Sequence, residues 1–551
     1  MKTLKNSSIH LCLLVTLFLS NNAISQINGT LDPAFGVGGK VITSFQSNLF
    51  VDIPVSALTA DDKVLTATVV RQEAIPPYIN IIRYLSNGNI DNSWGQNGFV
   101  STSIANTTNI SINDIKVQPD GKILLIGSRD SLLTGGNIIQ LGLLVRYLPN
   151  GMIDNSFGNN GFVTQTNSNI QVPIFQNVFG YKLAIMQDKI LAIGMDSIMN
   201  LRIQAYHLTN GVPYYTWGNN SVVRHNFEYI TSTAAPPRDI FIQSDNKILV
   251  TFKDLVFRFL PTGQLDPTFA NNGYLQPHYA KETHQPEDKP PLRNFLTVQV
   301  QPDDKILIAS KASHYSSYAG LGVIERYMPN GDIDTSFAND GFLFVDLRTA
   351  KENIGLQYIR SLIVHENGDF TIAGNVIDTI SGYAMFAMCQ FLVSGDIDST
   401  FGTNGVVVTE MFQENDSINC LWNVLIQSDS KIILNGFSPN YNIAPLENTG
   451  RLHYNYIMAR YYGKSDWVSI ENLKFQYDFN LYPNPVNDVL HINTKNSGLL
   501  TLYNLEGKLI IQKNLNDNNA TLNTDLLING VYFVHFTDKN GFTSIKKIIK
   551  Q

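Results

Sequence analysis

An all-β protein, a seven-bladed β-propeller followed by a small immunoglobulin-like β-sandwich, is the architecture this 551-residue sequence predicts. Three observations carry the expectation. One phrase, Gly-x-Ile/Leu-Asp-x-x-Phe/Trp-Gly/Ala-x-x-Gly-x-Val, recurs in seven copies that open at Gly29, Gly88, Gly151, Gly211, Gly263, Gly331 and Gly395. Short apolar runs punctuated by turn residues fill the roughly sixty residues from one copy to the next. After Gly463 the pattern stops, and a second set of short strands takes over.

The second copy shows the elements in order. Gly98-Phe99-Val100-Ser101 follows the phrase and reads as a strand, and residues 112–118 read as another, with Ile115 and Val117 alternating against polar neighbours. Asp120-Gly121 then marks a hairpin, since both residue types tolerate the positive φ of a type I′ turn. Residues 122–127 form the third strand and 143–148 the fourth, before Pro149-Asn150-Gly151 opens the next copy. The third strand recurs as a Lys-Ile-Leu type (Lys63, Lys122, Lys189, Lys247, Lys305 and Lys431), with Asp369 in the sixth position. The fourth recurs as an Arg-Tyr-Leu type (Arg83, Arg146, Arg258, Arg326 and Arg460), with Ala205 and Gln390 as the exceptions. Four strands cannot close a core alone, so neighbouring copies must share one. An open β-solenoid is the competing architecture, and a tight hairpin in every copy favours the propeller.

The termini suggest an address. Residues 1–25 have the build of a secretory signal peptide: Lys2 and Lys5, an apolar run from 9 to 19 too short to span a bilayer, and the small-residue ending Ala23-Ile24-Ser25. Residues 26–463 are the repeats, 464–476 a linker, and 477–551 a C-terminal module. No later stretch is apolar enough for a transmembrane span. A formal net charge of −7 argues against nucleic acid as partner. Cys389 and Cys420 sit in apolar strand patterns and read as buried free thiols.

The copies resemble the delta-60 repeat, a bacterial repeat family thought to form propellers, over Gly29 to about Gly463. The C-terminal module resembles the type A sorting domain of the type IX secretion system of Bacteroidota. Its matching residues are Leu481-Tyr482-Pro483-Asn484-Pro485, Asn504-Leu505-Glu506-Gly507-Lys508, Gly530-Val531-Tyr532-Phe533-Val534 and Lys546 to Lys550. That resemblance implies export across both membranes, with the protein secreted or anchored at the outer cell surface. It also implies two partners for the module, the translocon and a sortase-like peptidase.

The recurring Asp32, Asp91, Asp154, Asp266, Asp334 and Asp398 are the residues most open to a functional reading. Calcium needs roughly six to eight oxygens in one small volume, and no second acidic residue recurs at a fixed offset. Each Asp is therefore expected to cap its own turn, with a calcium ring as the alternative. The fourth copy has Tyr214 in that place. The aromatics Phe35, Trp94, Phe157, Trp217, Phe269, Phe337 and Phe401 are expected to plug the space between blades. Motifs for catalysis, metal or cofactor are missing: there is no His-Glu-x-x-His, Gly-x-Ser-x-Gly, phosphate loop or Cys-x-x-Cys. His278 and His284 share a Pro-rich loop with Glu282, Glu287 and Asp288, which reads as a solvated loop.

Irregular loops at 164–179, 224–237, 275–293 and 436–453 all fall on one face, where variable loops on a rigid scaffold usually bind. The sequence is thus read as a non-enzymatic, exported binding or scaffold protein for an extracellular glycan or protein. The alternatives are a surface hydrolase acting on glycan or peptide at the propeller channel and a structural surface protein without a specific ligand.

Overall fold

The computed structural model describes residues 28–45, 49–72, 75–132, 138–164, 180–195, 200–225, 236–252, 254–278, 297–312, 321–347, 353–411, 419–439, 454–464, 479–494, 497–504, 508–516, 519–538 and 543–551. The segment expected to be a signal peptide, most of the expected linker and the central parts of the four irregular loops lie outside these residues.

Among the described residues the repeat region is antiparallel β-structure in seven sheets. The second sheet is representative: Ile110–Val117 innermost, then Ile123–Leu132, Ile138–Tyr147 and Phe162–Thr164 outermost. A sheet is therefore not one sequence repeat. The strand after each phrase folds back on the strand before it, as Phe162↔Val145 shows, so every copy lends its first strand to the preceding blade. The phrase is a loop within a blade, and the crossover to the next blade comes after the outer strand.

This offset closes the ring. The first copy has no blade before it, and its strand Lys40–Thr43 pairs instead with Tyr454–Tyr461 as the outer strand of the last sheet, Lys40↔Ala459 to Thr43↔Tyr456. The innermost strands touch one another in sequence around the ring, and Cys420–Ile426 meets Val55–Leu58 at the seam. Asn423 Nδ2 donates to the Ser56 carbonyl there, at 2.9 Å. The molecule is a β-propeller, and pairing its two chain ends within one sheet leaves no open edge at the seam.

The turn at Asp120-Gly121 differs from the expected type I′. The Gln118 N–H donates to the Lys122 carbonyl at 2.7 Å and the Gly121 N–H to the Gln118 carbonyl at 2.8 Å. Within residues 118–122 only Gly121 has a positive φ, +79°. Pro119 presets the first corner and the Asp120 carboxylate accepts the Lys122 N–H, which makes a type I turn followed by a left-handed residue. The same left-handed position holds Asp62, Asn246, Asp304, Gly368 and Ser430. Residues 148–152 repeat the device, with the phrase glycine Gly151 at φ +89°. A Cβ on Gly151 would lie 2.7 Å from the Trp94 ring, so this position requires glycine for space as well as for φ.

The core lies between sheets. Ala67, Ile81 and Trp94 of the first blade pack with Ile115, Leu125 and Val145 of the second, and Met388 and Phe401 of the sixth with Leu421 and Ile457 of the seventh. All seven phrase aromatics are at most 2% exposed. Cys389 is a buried free thiol; Cys420, at the start of an inner strand, is free but only half-buried.

The C-terminal module has two antiparallel sheets. One orders Asn480–Tyr482, Val489–Asn493 and Asn519–Asn523; the other orders Leu509–Leu515, Gly498–Asn504, Gly530–Asp538 and Thr543–Lys550. Phe479, Leu490, Leu502, Val534, Phe536 and Ile548 form one core cluster.

Candidate functional site

The six phrase aspartates are all buried, Asp154 to 4% exposure. One oxygen of each caps the turn. Oδ1 accepts the N–H two residues on, from Ala34, Ser93, Ser156, Thr268, Ser336 and Thr400, at 3.0 to 3.2 Å. The other oxygen meets a cation, which the sequence reading missed. Arg Nε donates to Oδ2 in the pairs Arg83–Asp91, Arg146–Asp154, Arg258–Asp266 and Arg326–Asp334 at 2.8 to 2.9 Å. In the last blade Arg460 Nη2 stands 2.8 Å from Asp32. The signal was present: this Arg is the first residue of the Arg-Tyr-Leu strand, eight residues before its Asp in four copies.

The guanidinium also joins blades. Arg146 lies 4.2 Å over the Phe157 ring, and its Nη2 donates to the Thr209 carbonyl at 2.7 Å. Arg326 Nη1 reaches the Val393 carbonyl at 2.6 Å. Burial alone would raise the Asp154 carboxyl, but the Ser156 hydroxyl and N–H and the Arg146 charge together hold it below the usual range. An oxygen already facing a guanidinium is a poor calcium ligand. Among the described residues no group of three or more His, Cys, Asp or Glu could hold a metal ion.

Two blades depart from the pairing, each without leaving the Asp site uncompensated. In the third, Ala205 replaces the Arg and Tyr214 the Asp, so both charges are lost together. Tyr214 stacks on His207 at 4.1 Å, lies 4.4 Å under Lys189 and donates its hydroxyl to Asp188 at 3.0 Å. In the sixth, Gln390 replaces the Arg, and Lys464 supplies the charge to Asp398 from beyond the last strand.

Residues 481–485, expected from the resemblance to be a sorting motif, lie at the edge of the C-terminal module. Leu481 and Tyr482 end its first strand, and Tyr482, 54% exposed, stacks on His491. Pro483 and Pro485 bracket Asn484, whose amide bonds the Lys547 carbonyl and the Ile549 N–H, each at 2.9 Å. The motif is thereby tied to the last strand.

A channel of about 2380 Å³ lies within the ring, lined by the inner strands of all seven blades and by Lys546 of the C-terminal module. Six aspartates stand in its wall: Asp52, Asp120, Asp188 and Asp304 bond Arg71, Lys122, Lys189 and Ser244, and Asp114 and Asp239 reach the next blade. Asp114 Oδ2 accepts the Leu183 N–H at 3.0 Å, and Asp239 Oδ2 accepts the Thr297 hydroxyl at 3.1 Å. Each braces its blade to the next, and Lys182 Nζ lies 3.5 Å from Asp114. Burial raises the Asp239 carboxyl above its ordinary range against the pull of Lys182. The loop cluster of His284, Glu282, Glu287 and Asp288 lies outside the described residues; the His278 N–H donates to Glu325 Oε2 at 2.7 Å.

The chain matches the family "Secretion system C-terminal sorting domain" over residues 480–551. It matches "Domain of unknown function (DUF5122) beta-propeller" over 118–157 and 301–337. No curated protein matches. Similar solved structures include PorZ, a surface component of the type IX secretion system of Porphyromonas gingivalis, at 10% identity over 96% of this chain and 88% of that one, with a TM-score of 0.24. A protein of unknown function from Dyadobacter fermentans aligns at 9% identity, 76% and 97% coverage and TM-score 0.34. An α-L-arabinofuranosidase from Fusarium graminearum aligns at 11% identity, 77% and 98% coverage and TM-score 0.36. These likenesses identify neither ligand nor reaction. The sorting domain marks the protein for export by the type IX secretion system, to the cell surface or for secretion. The chain is a β-propeller protein with two segments that match the DUF5122 propeller family and a secretion-system C-terminal sorting domain at residues 480–551.

Proposed function

We propose that this is an exported, non-enzymatic binding or scaffold protein whose propeller engages an extracellular glycan or protein. The observation that carries this reading is the channel wall. Of its six aspartates, Asp114 and Asp239 each hold the next blade by its backbone, and the other four bond a side chain of the protein. A carboxylate used in this way is satisfied by the fold itself, which favours a structural role. The phrase aspartates are likewise taken by turns and guanidinium groups. In the same reading, the C-terminal module is handed to the translocon and then removed by a sortase-like peptidase.

A surface hydrolase is the rival, motivated by the raised carboxyl of Asp239 in a polar channel. The test exposes the purified protein to glycan and protein arrays and, in parallel, to chromogenic glycoside and peptide substrates. Saturable binding without turnover is the expected result. Turnover that disappears in Asp239→Asn, with no stable binding, would replace this reading with the hydrolase.

A further inference from the structure

Four inner strands carry a β-bulge whose extra residue lines the channel; a second bulge in the sixth-blade strand, at Gln357, does not. The pairing register skips Asn113 between Ile112 and Asp114, Tyr181 between Gly180 and Lys182, Arg360 between Ile359 and Ser361, and Trp422 between Leu421 and Asn423. A bulge inserts one residue into a strand and re-aims its side chain, and bulges are common beside binding sites. In the fourth blade Arg238 holds a comparable place, its N–H bonding the carbonyl of Thr251, the residue that pairs with Asp239. All five residues line the channel and all are half-buried.

These residues place an arginine beside aromatic rings at one point of the ring and supply a second arginine and ring elsewhere in the same lining. Arg360 of the sixth blade lies 5.2 Å over Trp422 of the seventh and 4.9 Å over Tyr358. Tyr181 of the third blade and Arg238 of the fourth line the same channel. The lining as a whole holds eight Lys and Arg against six Asp, an excess of positive charge. Burial lowers the Arg360 pKa, and a guanidinium that has lost part of its hydration gains more from a carboxylate than one in bulk water.

We propose that this belt binds an acidic saccharide chain, with Arg360 and Arg238 forking its carboxylates and the Trp422 and Tyr181 rings packing against its sugars. The assignment rests on the binding reading above. Three features favour it. A guanidinium matches a carboxylate bidentately. An aromatic ring offers a flat apolar face to a sugar's C–H surface. The channel is larger than the roughly 300–1,000 Å³ of a small-molecule pocket, which suits a chain better than a single sugar.

The experiment measures binding of the full exported chain to oligogalacturonate, to neutral cello-oligosaccharide and to a poly-glutamate peptide, by calorimetry at low and at high salt. Oligogalacturonate is expected to bind, more weakly at high salt. Arg360→Gln and Arg238→Gln should each lower its affinity about tenfold with an unchanged melting temperature. Equal affinity for the neutral sugar would overturn the acidic class and leave the binding reading standing. Poly-glutamate binding with the same dependence on both arginines would overturn the saccharide. Oligogalacturonate binding untouched by either substitution would overturn the site. Failure to bind any of the three probes would overturn this proposal, and the broader arrays would then decide the binding reading separately.

Discussion

Lys464 forms an ion pair with Asp398, and so fills from the far end of the propeller chain the place that an arginine holds in five other blades. The sixth blade has Gln390 where those blades have Arg. Lys464 also lies 4.0 Å from Asp369, the residue that stands where the other third strands carry Lys. Its neighbour Tyr462 is bound across the seam: it exchanges backbone bonds with Gly29 and Thr30, and its hydroxyl donates to Asp32 at 2.9 Å. The segment leaving the propeller is thus fastened to the first phrase and to the sixth blade at once.

Lys464→Met should therefore lower the melting temperature of the full-length protein by several degrees, because it leaves a buried carboxylate without its cation. Restoring an arginine in the strand, as Gln390→Arg in the Lys464→Met background, should recover most of the loss. An unchanged melting temperature in the single variant would mean that the pair contributes nothing. Failure of the arginine to rescue would mean that Lys464 acts other than by charge.

The pair between Arg146 and Asp154 gives a second expectation. Turn capping alone would make Asp154→Asn nearly silent, since Asn accepts the same Ser156 N–H. Asn cannot match the guanidinium, and both groups are almost fully buried, so a cost of about 3 kcal/mol follows. Arg146→Met together with Asp154→Asn should cost less than the sum of the two single changes, as the third blade already tolerates Ala205 with Tyr214. Denaturant unfolding of the three variants measures the coupling. Additive losses, or a melting temperature that rises with calcium in the parent and not in Asp154→Asn, would count against the ion pair.

Much of this was legible in the sequence because strand alternation, turn residues and the phrase are local signals. The buried phrase aromatics could be placed from their spacing alone. The Arg–Asp pairing was within reach too, since its eight-residue offset is constant, but it spans a strand end and a loop that were read as separate elements. The partner of Asp398 was not legible. Lys464 belongs to no repeat, and only ring closure brings it to the sixth blade. The channel belt was hidden for a related reason: a bulge puts Arg360 and Trp422 out of phase with the alternation that sequence reading follows.

His365 makes stability depend on pH. It occupies the turn position that Gln118, Gln243, Gln301 and Gln427 hold in other blades, is 0% exposed, and bonds Thr371 Oγ1 through Nε2 at 2.8 Å. Burial, aided by the Lys464 charge, lowers its pKa to about 3. A histidine held neutral in the fold contributes fully above its unfolded pKa of about 6.5, and that contribution is lost as pH falls toward 3. The slope cannot exceed about 1.4 kcal/mol per pH unit from this one group. His365→Gln should flatten the decline between pH 6.5 and 4 while leaving stability at pH 8 nearly unchanged. A pH profile identical to the parent's would refute it.

The last expectation concerns export. The C-terminal module has its own core, from Phe479 to Ile548, and Asn484 of the expected motif binds the Lys547 carbonyl and the Ile549 N–H of its final strand. Truncating that strand should therefore disturb the motif as well as the sheet. Deleting residues 481–551 removes the module and keeps Lys464, so the ion pair to Asp398 and the Lys40–Thr43 seam both survive. The shortened protein should fold, resist protease as the parent does, and accumulate in the periplasm. Asn484→Ala in the full chain should give a milder version of the same defect, since it removes two hydrogen bonds without removing a strand. Cell fractionation with protease protection reads both variants. A deletion variant that still reaches the medium or the cell surface would show that the export signal lies elsewhere. One that is degraded inside the cell would show that the propeller depends on its tail for more than its address.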